Sequence, residues 1–387
     1  MEERGQRTHV VHVVTGLGVG GAEFSLLRVV SAADRDRWRH SVLSLGADGP
    51  LAGPLRDAGA QVTELGLHAG LRALTALPDL ARRLRALAPD VVQTWMYHAD
   101  LLGGLAARMA GVRALAWGLH HSNLDPRYNK ASTLRVVRAC RALSGRVPAG
   151  IVCCSEATRE VHAAFGYPRG RMTVITNGYD TEQWAPDPAA RREVRAELGI
   201  APDAPVVGMV GRYHPLKDFG TFLAAAATLR AGLPDARFIL CGDGVEPANA
   251  ELAAAVAAAG LTGAVHLLGR RTDVARVMNA FDVAALSSRG EGFPNVVCEA
   301  MSCGIPCAVT DVGDAAAIVG DTGLVVPAGD ARGLGEAWGA LLAESAEERA
   351  ERGRMARARV VERYSIGVVA GRYCGFWEEL AGLTTRP

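Results

Sequence analysis

The strongest constraint on this 387-residue chain is an alternation that runs, breaks and starts again. His9 to Thr15, His40 to Leu45, Gln61 to Leu65, Asp90 to Thr94, Arg113 to Trp117, Gly150 to Cys154 and Met172 to Thr176 are short β-rich runs, with amphipathic helical stretches between most of them. Strand and helix in alternation predict an α/β doubly wound parallel sheet. The pattern stops at Asp180-Thr-Glu-Gln-Trp-Ala-Pro-Asp-Pro188, polar and twice punctuated by proline, which reads as a linker. It resumes with Pro205 to Gly211, Ala236 to Cys241, Ala264 to Leu268, Phe281 to Leu286, Pro306 to Val309 and Leu324 to Val326. A chain of this length exceeds one ordinary core. The expectation is two Rossmann-like domains, residues 1–180 and 181–365, facing a central cleft at the carboxyl ends of their strands. Ile366 to Leu380 reads as a helix with Tyr373, Phe376, Trp377 and Leu380 near one face, able to cross back to the first domain.

Composition supports a soluble α/β protein: 49% of residues are hydrophobic and only 5% aromatic, with Ala, Val, Leu and Gly abundant. The N-terminus Met1-Glu-Glu-Arg-Gly-Gln-Arg is charged, and the apolar run Val10 to Val14 is interrupted by His12, too short for a signal peptide. No run approaches the length of a membrane span. The eight cysteines lie among apolar neighbours without a C-x-x-C pair, which suits a cytoplasmic chain, and Cys298, Cys303 and Cys307 read as buried fillers rather than a metal set. Charge divides unevenly. Residues 1–180 hold 22 Lys and Arg against 15 Asp and Glu, net +7, and residues 181–387 hold 20 against 26, net −6. A basic first half suggests an anionic acceptor or peripheral contact with anionic lipid along Leu134 to Leu143, where Arg135, Arg138 and Arg141 recur at helical spacing; a solvated helix face is the alternative. Nothing in the pattern points to nucleic acid.

Three segments carry chemistry. Gly16-Leu-Gly-Val-Gly-Gly-Ala-Glu23 follows a strand and opens a helix, and satisfies G-x-G-x-x-G at Gly16, Gly18 and Gly21. A dinucleotide site would also need an acid ending the second strand, and Asp48 sits too late; Gly20 and Gly21 otherwise bring backbone close to a ligand. Arg212 and Lys217 stand at the end of the first strand of the second half, and Lys217 is one of only two lysines, with Lys130. Cations before a helix oppose its dipole unless an anion is expected, and together they can neutralise a diphosphate leaving group. In Glu291-Gly-Phe-Pro-Asn-Val-Val-Cys-Glu299 a loop carries one carboxylate and a helix, read as starting at Pro294, carries the second. Both can face one cleft and grip a sugar nucleotide at two points.

Gly20-Gly21-Ala22-Glu23, Val210-Gly-Arg212 with Lys217, and Glu291-Gly-Phe-Pro with Glu299-Ala-Met, in this order and spacing, resemble the family-4 retaining glycosyltransferases of the two-Rossmann-domain (GT-B) type. The resemblance implies a nucleotide-sugar donor, with a UDP-sugar foremost, held by the second domain, and a hydroxyl acceptor held by the first. It implies that Arg212 and Lys217 hold the diphosphate, Glu299 the ribose and Glu291 the donor sugar, with Gly292, Phe293, Pro294 and Asn295 lining the donor. Gly242-Asp243-Gly244 and Arg271-Thr272-Asp273 then line the base. A family histidine near the anomeric carbon corresponds to His121, with His120 in reserve. No cofactor and no metal are implied: Asp34-Arg-Asp36 is the only Asp-x-Asp and reads as solvated, and Arg212, Lys217 and a helix N-terminus can replace a divalent ion. The expected activity is metal-independent hexosyl transfer with retention, in glycan, glycolipid or secondary-metabolite biosynthesis. Competing readings are a nucleotide-sugar 2-epimerase, a nicotinamide dehydrogenase resting on the first glycine loop, and a non-catalytic sugar-nucleotide binder.

Overall fold

Residues 7–47, 49–67 and 75–384 are described by the structure, a computed structural model; Met1 to Gln6 and Asp48 lie outside them. The chain divides into two compact units, one comprising residues up to Gly178 together with those from Ile366 onward, the other Tyr179–Ser365. Each unit is built on one all-parallel sheet with helices in the connections.

In the first unit the strands are β1 (Thr8–Val14), β2 (Trp38–Ser44), β3 (Gln61–Glu64), β4 (Val91–Trp95), β5 (Leu115–Leu119), β6 (Gly150–Cys153) and β7 (Met172–Val174). Their order is β3-β2-β1-β4-β5-β6-β7, so the winding reverses between β1 and β4, where Val10 pairs with His40 on one side and Val91 on the other. Parallel strands covered on both faces are mostly apolar, and Val91–Trp95 and Leu115–Leu119 are buried at every residue, with Gln93 and Thr94 the polar exceptions in the first of them. The apolar majority of these short runs is what made the strands visible in the sequence.

The helix Ile366–Thr384 belongs to this unit because its apolar stripe completes the unit's core. Val369, Tyr373, Trp377 and Leu380 are buried in one cluster with Val10, Val14, Trp38 and Trp95. Trp377 meets Trp38 edge-on at 5.5 Å, and its Nε1 donates to Gln93 Oε1 at 3.3 Å. Removing aromatics of this size from water is worth roughly 3 kcal/mol or more each, enough to hold a terminal helix in place.

A polar strand threads the same core. Trp95 Nε1 donates to His12 Nδ1 at 3.2 Å, which leaves the proton of that ring on Nε2, and His12 Nε2 then donates to His40 Nδ1 at 3.0 Å. Burial lowers the pKa of both rings, His40 to about 4 with the charge of nearby His9 as a lesser cause. Both rings are therefore neutral at pH 7.

The second unit carries β8 (Val206–Val210), β9 (Arg237–Cys241), β10 (Val265–Leu267), β11 (Val283–Leu286), β12 (Cys307–Thr310) and β13 (Leu324–Val326), in the order β10-β9-β8-β11-β12-β13. Here the winding reverses between β8 and β11. The stretch read as a linker is fastened to this unit: the Arg357 guanidinium donates to Thr181 O at 2.8 Å, to Trp184 O at 2.9 Å, and to Ser302 O. Pro188 then opens the helix Pro188–Glu197, capped by the Asp187 carboxylate. From that helix Arg191 and the buried Arg195 both reach Asp282, whose Oδ2 also accepts the Val206 N–H, so one carboxylate ties the helix to the start of β8. Polar, proline-punctuated sequence signalled a break in the pattern but not its attachment.

No helix among the described residues is long and apolar enough to cross a membrane. Arg135, Arg138 and Arg141 lie exposed on the helix Ala131–Leu143, whose other face buries Leu134, Val137 and Cys140; the Arg141 guanidinium lies over the Phe165 ring at 5.5 Å.

Candidate functional site

In a doubly wound sheet the loops leaving the strands on either side of the reversal diverge and leave a crevice at the carboxyl ends. In the second unit those loops follow β8 and β11, and they bring Lys217 and Glu291 together.

After β8 the chain runs through Gly211 to His214 into the short 3₁₀ turn Pro215–Lys217, which His214 caps by accepting the Leu216 N–H on Nδ1 at 3.2 Å. The stem of Lys217 lies along Gly211, where an added Cβ would sit 3.5 Å from its Cδ and Cε. Lys217 Nζ donates to Glu291 Oε1 at 2.6 Å, with both side chains largely buried. Arg212 is exposed and forms no hydrogen bond or ion pair among the described residues. Two cations precede the helix Phe219–Gly232, and one of them is without an anion.

After β11 the loop passes Ser287 and Ser288, both fully buried, then Arg289, Gly290 and Glu291. Ser288 Oγ donates to Glu291 Oε1 at 2.6 Å. The backbone of Glu291 and Gly292 is pressed against Gly313, whose φ is +57° and whose missing Cβ would lie 2.6 Å from Glu291 O and 2.5 Å from Gly292 O. Only glycine fits there. Phe293 is buried against Tyr179 and Tyr364, with ring centroids 6.4 and 5.6 Å away, and the Tyr179 hydroxyl donates to Asn295 Oδ1 at 2.5 Å. Pro294 is not the first helical residue: it sits at the N-cap with ψ 90°, and the helix is Asn295–Ser302. An extended ψ ends the loop one residue later than the proline suggested. Glu299 is half-buried on that helix, and its charge helps burial raise the Cys303 thiol to about 12.

The loops after β8, β9 and β10 are laced by backbone: Gly211 N donates to Cys241 O at 2.8 Å, and Gly242 N to Gly269 O at 2.9 Å. Gly242 has φ +154°, and a Cβ there would overlap the Gly211 carbonyl. Arg271 is engaged within the protein, by Asp273 through Nε and Nη2 at 2.8 and 2.9 Å and by Glu197 through Nη1 at 2.8 Å. The Arg271 hydrogen bond is the main reason Asp273 drops to about 2. Thr272 is exposed between them.

In the first unit Gly20 caps the helix Gly21–Ala32, and a Cβ on it would collide with the Glu23 carboxylate. At Gly16 and Gly18 an added Cβ would meet nothing within 4 Å, so no neighbouring protein atom requires glycine at either position. His120, just past β5, stacks on Trp95 at 5.1 Å; neither ring nitrogen has a hydrogen-bond partner, and burial lowers its pKa to about 4. His121 follows in the loop, its Nε2 3.2 Å from Asn129 Oδ1.

Three features had no sequence signal that singled them out. Ser288 touches Glu291. Met96, at the end of β4 beside the reversal, has φ +73°, and such backbone strain clusters at working sites. Asp100, one turn on, is buried with Oδ1 accepting from Thr94 Oγ1 at 2.5 Å and Gly118 N at 3.2 Å; burial raises its pKa to about 8. Among the described residues no group of three or more His, Cys, Asp or Glu is placed to hold a metal ion.

Residues 19–183 match the family model described as Glycosyltransferase Family 4, and residues 204–344 the one described as Glycosyl transferases group 1. The provisionally named glycosyltransferase EpsF of Bacillus subtilis (strain 168) is 28% identical over 308 residues, 78% of this chain and 79% of that protein. The UDP-Gal:alpha-D-GlcNAc-diphosphoundecaprenol alpha-1,3-galactosyltransferase of Escherichia coli is 29% identical over 245 residues, 62% of this chain and 63% of that one. Among solved structures, Anabaena Alr3699/HepE in complex with UDP superposes with a TM-score of 0.83 at 24% identity, over 96% of this chain and 100% of that one.

Proposed function

Since this chain belongs to the GT-B glycosyltransferases, we propose that it is a metal-independent, retaining hexosyltransferase that carries a sugar from a UDP-sugar to an acceptor hydroxyl. The observation that carries the reading is the pairing of Lys217 with Glu291 at the β8/β11 reversal, with Arg212 exposed beside it. A cation and a carboxylate at hydrogen-bonding distance serve the two charges that separate when a glycosyl–diphosphate bond breaks. Arg212 and Lys217 take the negative charge growing on the diphosphate, and Glu291 faces the positive charge growing on the sugar. Lys217 exchanges its carboxylate partner for the diphosphate when the donor arrives. Glu299 holds the ribose, and Gly292, Phe293, Pro294 and Asn295 line the donor. Around the base, Gly242, Thr272 and Arg271 contribute backbone, because the Arg271 guanidinium is engaged by Asp273 and Glu197.

The first unit supplies the acceptor side through Gly20, Gly21 and the His120–His121 turn, with His121 toward the donor sugar. The Escherichia coli relative is named for a sugar on a diphosphoundecaprenol, a lipid-linked acceptor. An acceptor of that class would bring the exposed Arg135, Arg138 and Arg141 to an anionic membrane on its cytoplasmic face.

The test is a binding panel of UDP, GDP, ADP and CDP without metal, read by thermal shift, followed by NMR of the sugar anomer first released from the preferred donor. UDP should stabilise most, by roughly 2.7 kcal/mol at 100 times its Kd, and the nascent anomer should match the donor. An inverted anomer, or no response to any nucleotide, overturns the proposal.

A further inference from the structure

The serine pair that ends β11 is more than a turn. A hydroxyl buried at the end of an apolar strand is costly unless it finds a partner, and both of these do. Ser287 Oγ donates to the backbone carbonyl of Lys217 at 2.9 Å, and Ser288 Oγ donates to the Glu291 carboxylate at 2.6 Å. Ser288 is itself anchored: its carbonyl accepts Thr310 Oγ1 at 2.8 Å from the end of β12, and the next N–H, that of Arg289, donates to Leu216 O at 2.8 Å. One dipeptide thus joins the lysine turn, the glutamate loop and a third strand.

Resting on the function proposed above, we propose that Ser288 is a positioning residue for Glu291. Lys217 and Ser288 converge on the same carboxylate oxygen, Oε1. Of these two contacts, only the lysine carries a charge that a bound diphosphate draws away. The serine contact persists through the reaction and keeps the carboxylate aimed while positive charge develops on the sugar. Its contribution is therefore larger in the transition state than in donor binding, so it governs kcat rather than KM.

The test is a double-mutant cycle on the full chain, with UDP-glucose hydrolysis followed by UDP release. Ser288→Ala should lower kcat roughly 10-fold, the scale of one hydrogen bond to a charged group, with KM within about threefold. In a Glu291→Ala background, adding Ser288→Ala should cause no further loss, whereas a merely structural serine would lower activity by the same factor in both backgrounds. Thr310→Val, which keeps side-chain volume and removes the donor to the Ser288 carbonyl, supplies the same cycle if Ser288→Ala does not fold, with a loss of about threefold that also vanishes beside Glu291→Ala. Additive losses, or a Ser288→Ala enzyme with parental kcat, overturn the positioning role while Glu291→Ala stays impaired. A fully active Glu291→Ala enzyme instead overturns the site assignment on which this role rests.

Discussion

Replacing Lys217 with methionine isolates the charge at the candidate donor site. Methionine preserves an unbranched stem, and in the structure that stem lies 3.5 Å from where a Cβ on Gly211 would stand, so packing along the β8 loop is retained while the ammonium is lost. Two effects follow. The Nζ–Oε1 contact of 2.6 Å disappears, leaving a largely buried carboxylate short of one charged donor; because both groups keep some solvent access, 19% and 13% of their side-chain surface, the cost is about 1–3 kcal/mol. Spread over a unit of this size, that lowers its unfolding midpoint by roughly 2–10 °C. The catalytic effect is separate. Removing one donor from a site of developing negative charge costs about 2.7–4 kcal/mol, so kcat/KM for a UDP-sugar should fall about 100- to 1000-fold. Arg212 remains, so activity does not vanish. The assay is UDP release from UDP-glucose and UDP-galactose under kcat/KM conditions, with UDP binding measured by calorimetry on the same preparation. A methionine variant that keeps kcat/KM within threefold of the parent, with unchanged UDP affinity, would refute the placing of the diphosphate at Lys217.

The two glutamates should separate kinetically: Glu299→Ala chiefly raises donor KM, because a ribose contact is alike in ground and transition states, whereas Glu291→Gln chiefly lowers kcat; equal effects from both would contradict their assigned roles. Donor hydrolysis should continue in excess EDTA, since Arg212 and Lys217 supply the positive charge at the proposed diphosphate position, and loss of activity restored by magnesium or manganese would show otherwise. Two buried histidines should weaken the first unit in mild acid, an effect that His120 adds to and the raised carboxyl of Asp100 opposes. His12 and His40 have pKa values lowered by burial, so below the unfolded value near 6.5 the unfolded chain takes up protons that the folded one refuses. Their contribution is complete above pH 6.5 and declines as pH falls toward about 4, by roughly 3 kcal/mol for His40 alone. Calorimetry from pH 7 to 4.5 should show a double variant, His12→Asn with His40→Asn, losing less stability than the parent over that range, since His120 and Asp100 titrate alike in both; parallel profiles would assign the acid sensitivity elsewhere.

Local pattern was enough to find the strands, because a parallel strand buried on both faces is predominantly apolar, and runs such as Val206–Val210 and Val283–Leu286 cannot hide in a chain this rich in helical periodicity. The same locality made Lys217 and Glu291 stand out one at a time, as a cation before a helix and a carboxylate in a loop. Their contact at 2.6 Å is invisible in sequence, since 74 residues separate them and only the order β9-β8-β11-β12 brings the two loops side by side. Strand order is a long-range property, decided by how the whole set of helices and strands buries its apolar faces. The same holds for Ser287, whose hydroxyl reaches the Lys217 carbonyl only through the fold while Ser288 meets Glu291 within one loop, and for Arg271, whose guanidinium meets Asp273 locally but Glu197 only through the fold. The helix Ile366–Thr384 shows both sides at once: period and aromatic content announced an apolar stripe, but only the cluster around Trp38, Trp95 and Val10 determined which core that stripe completes. Periodicity tells a helix which face to bury, and the remaining gap in a core tells it where.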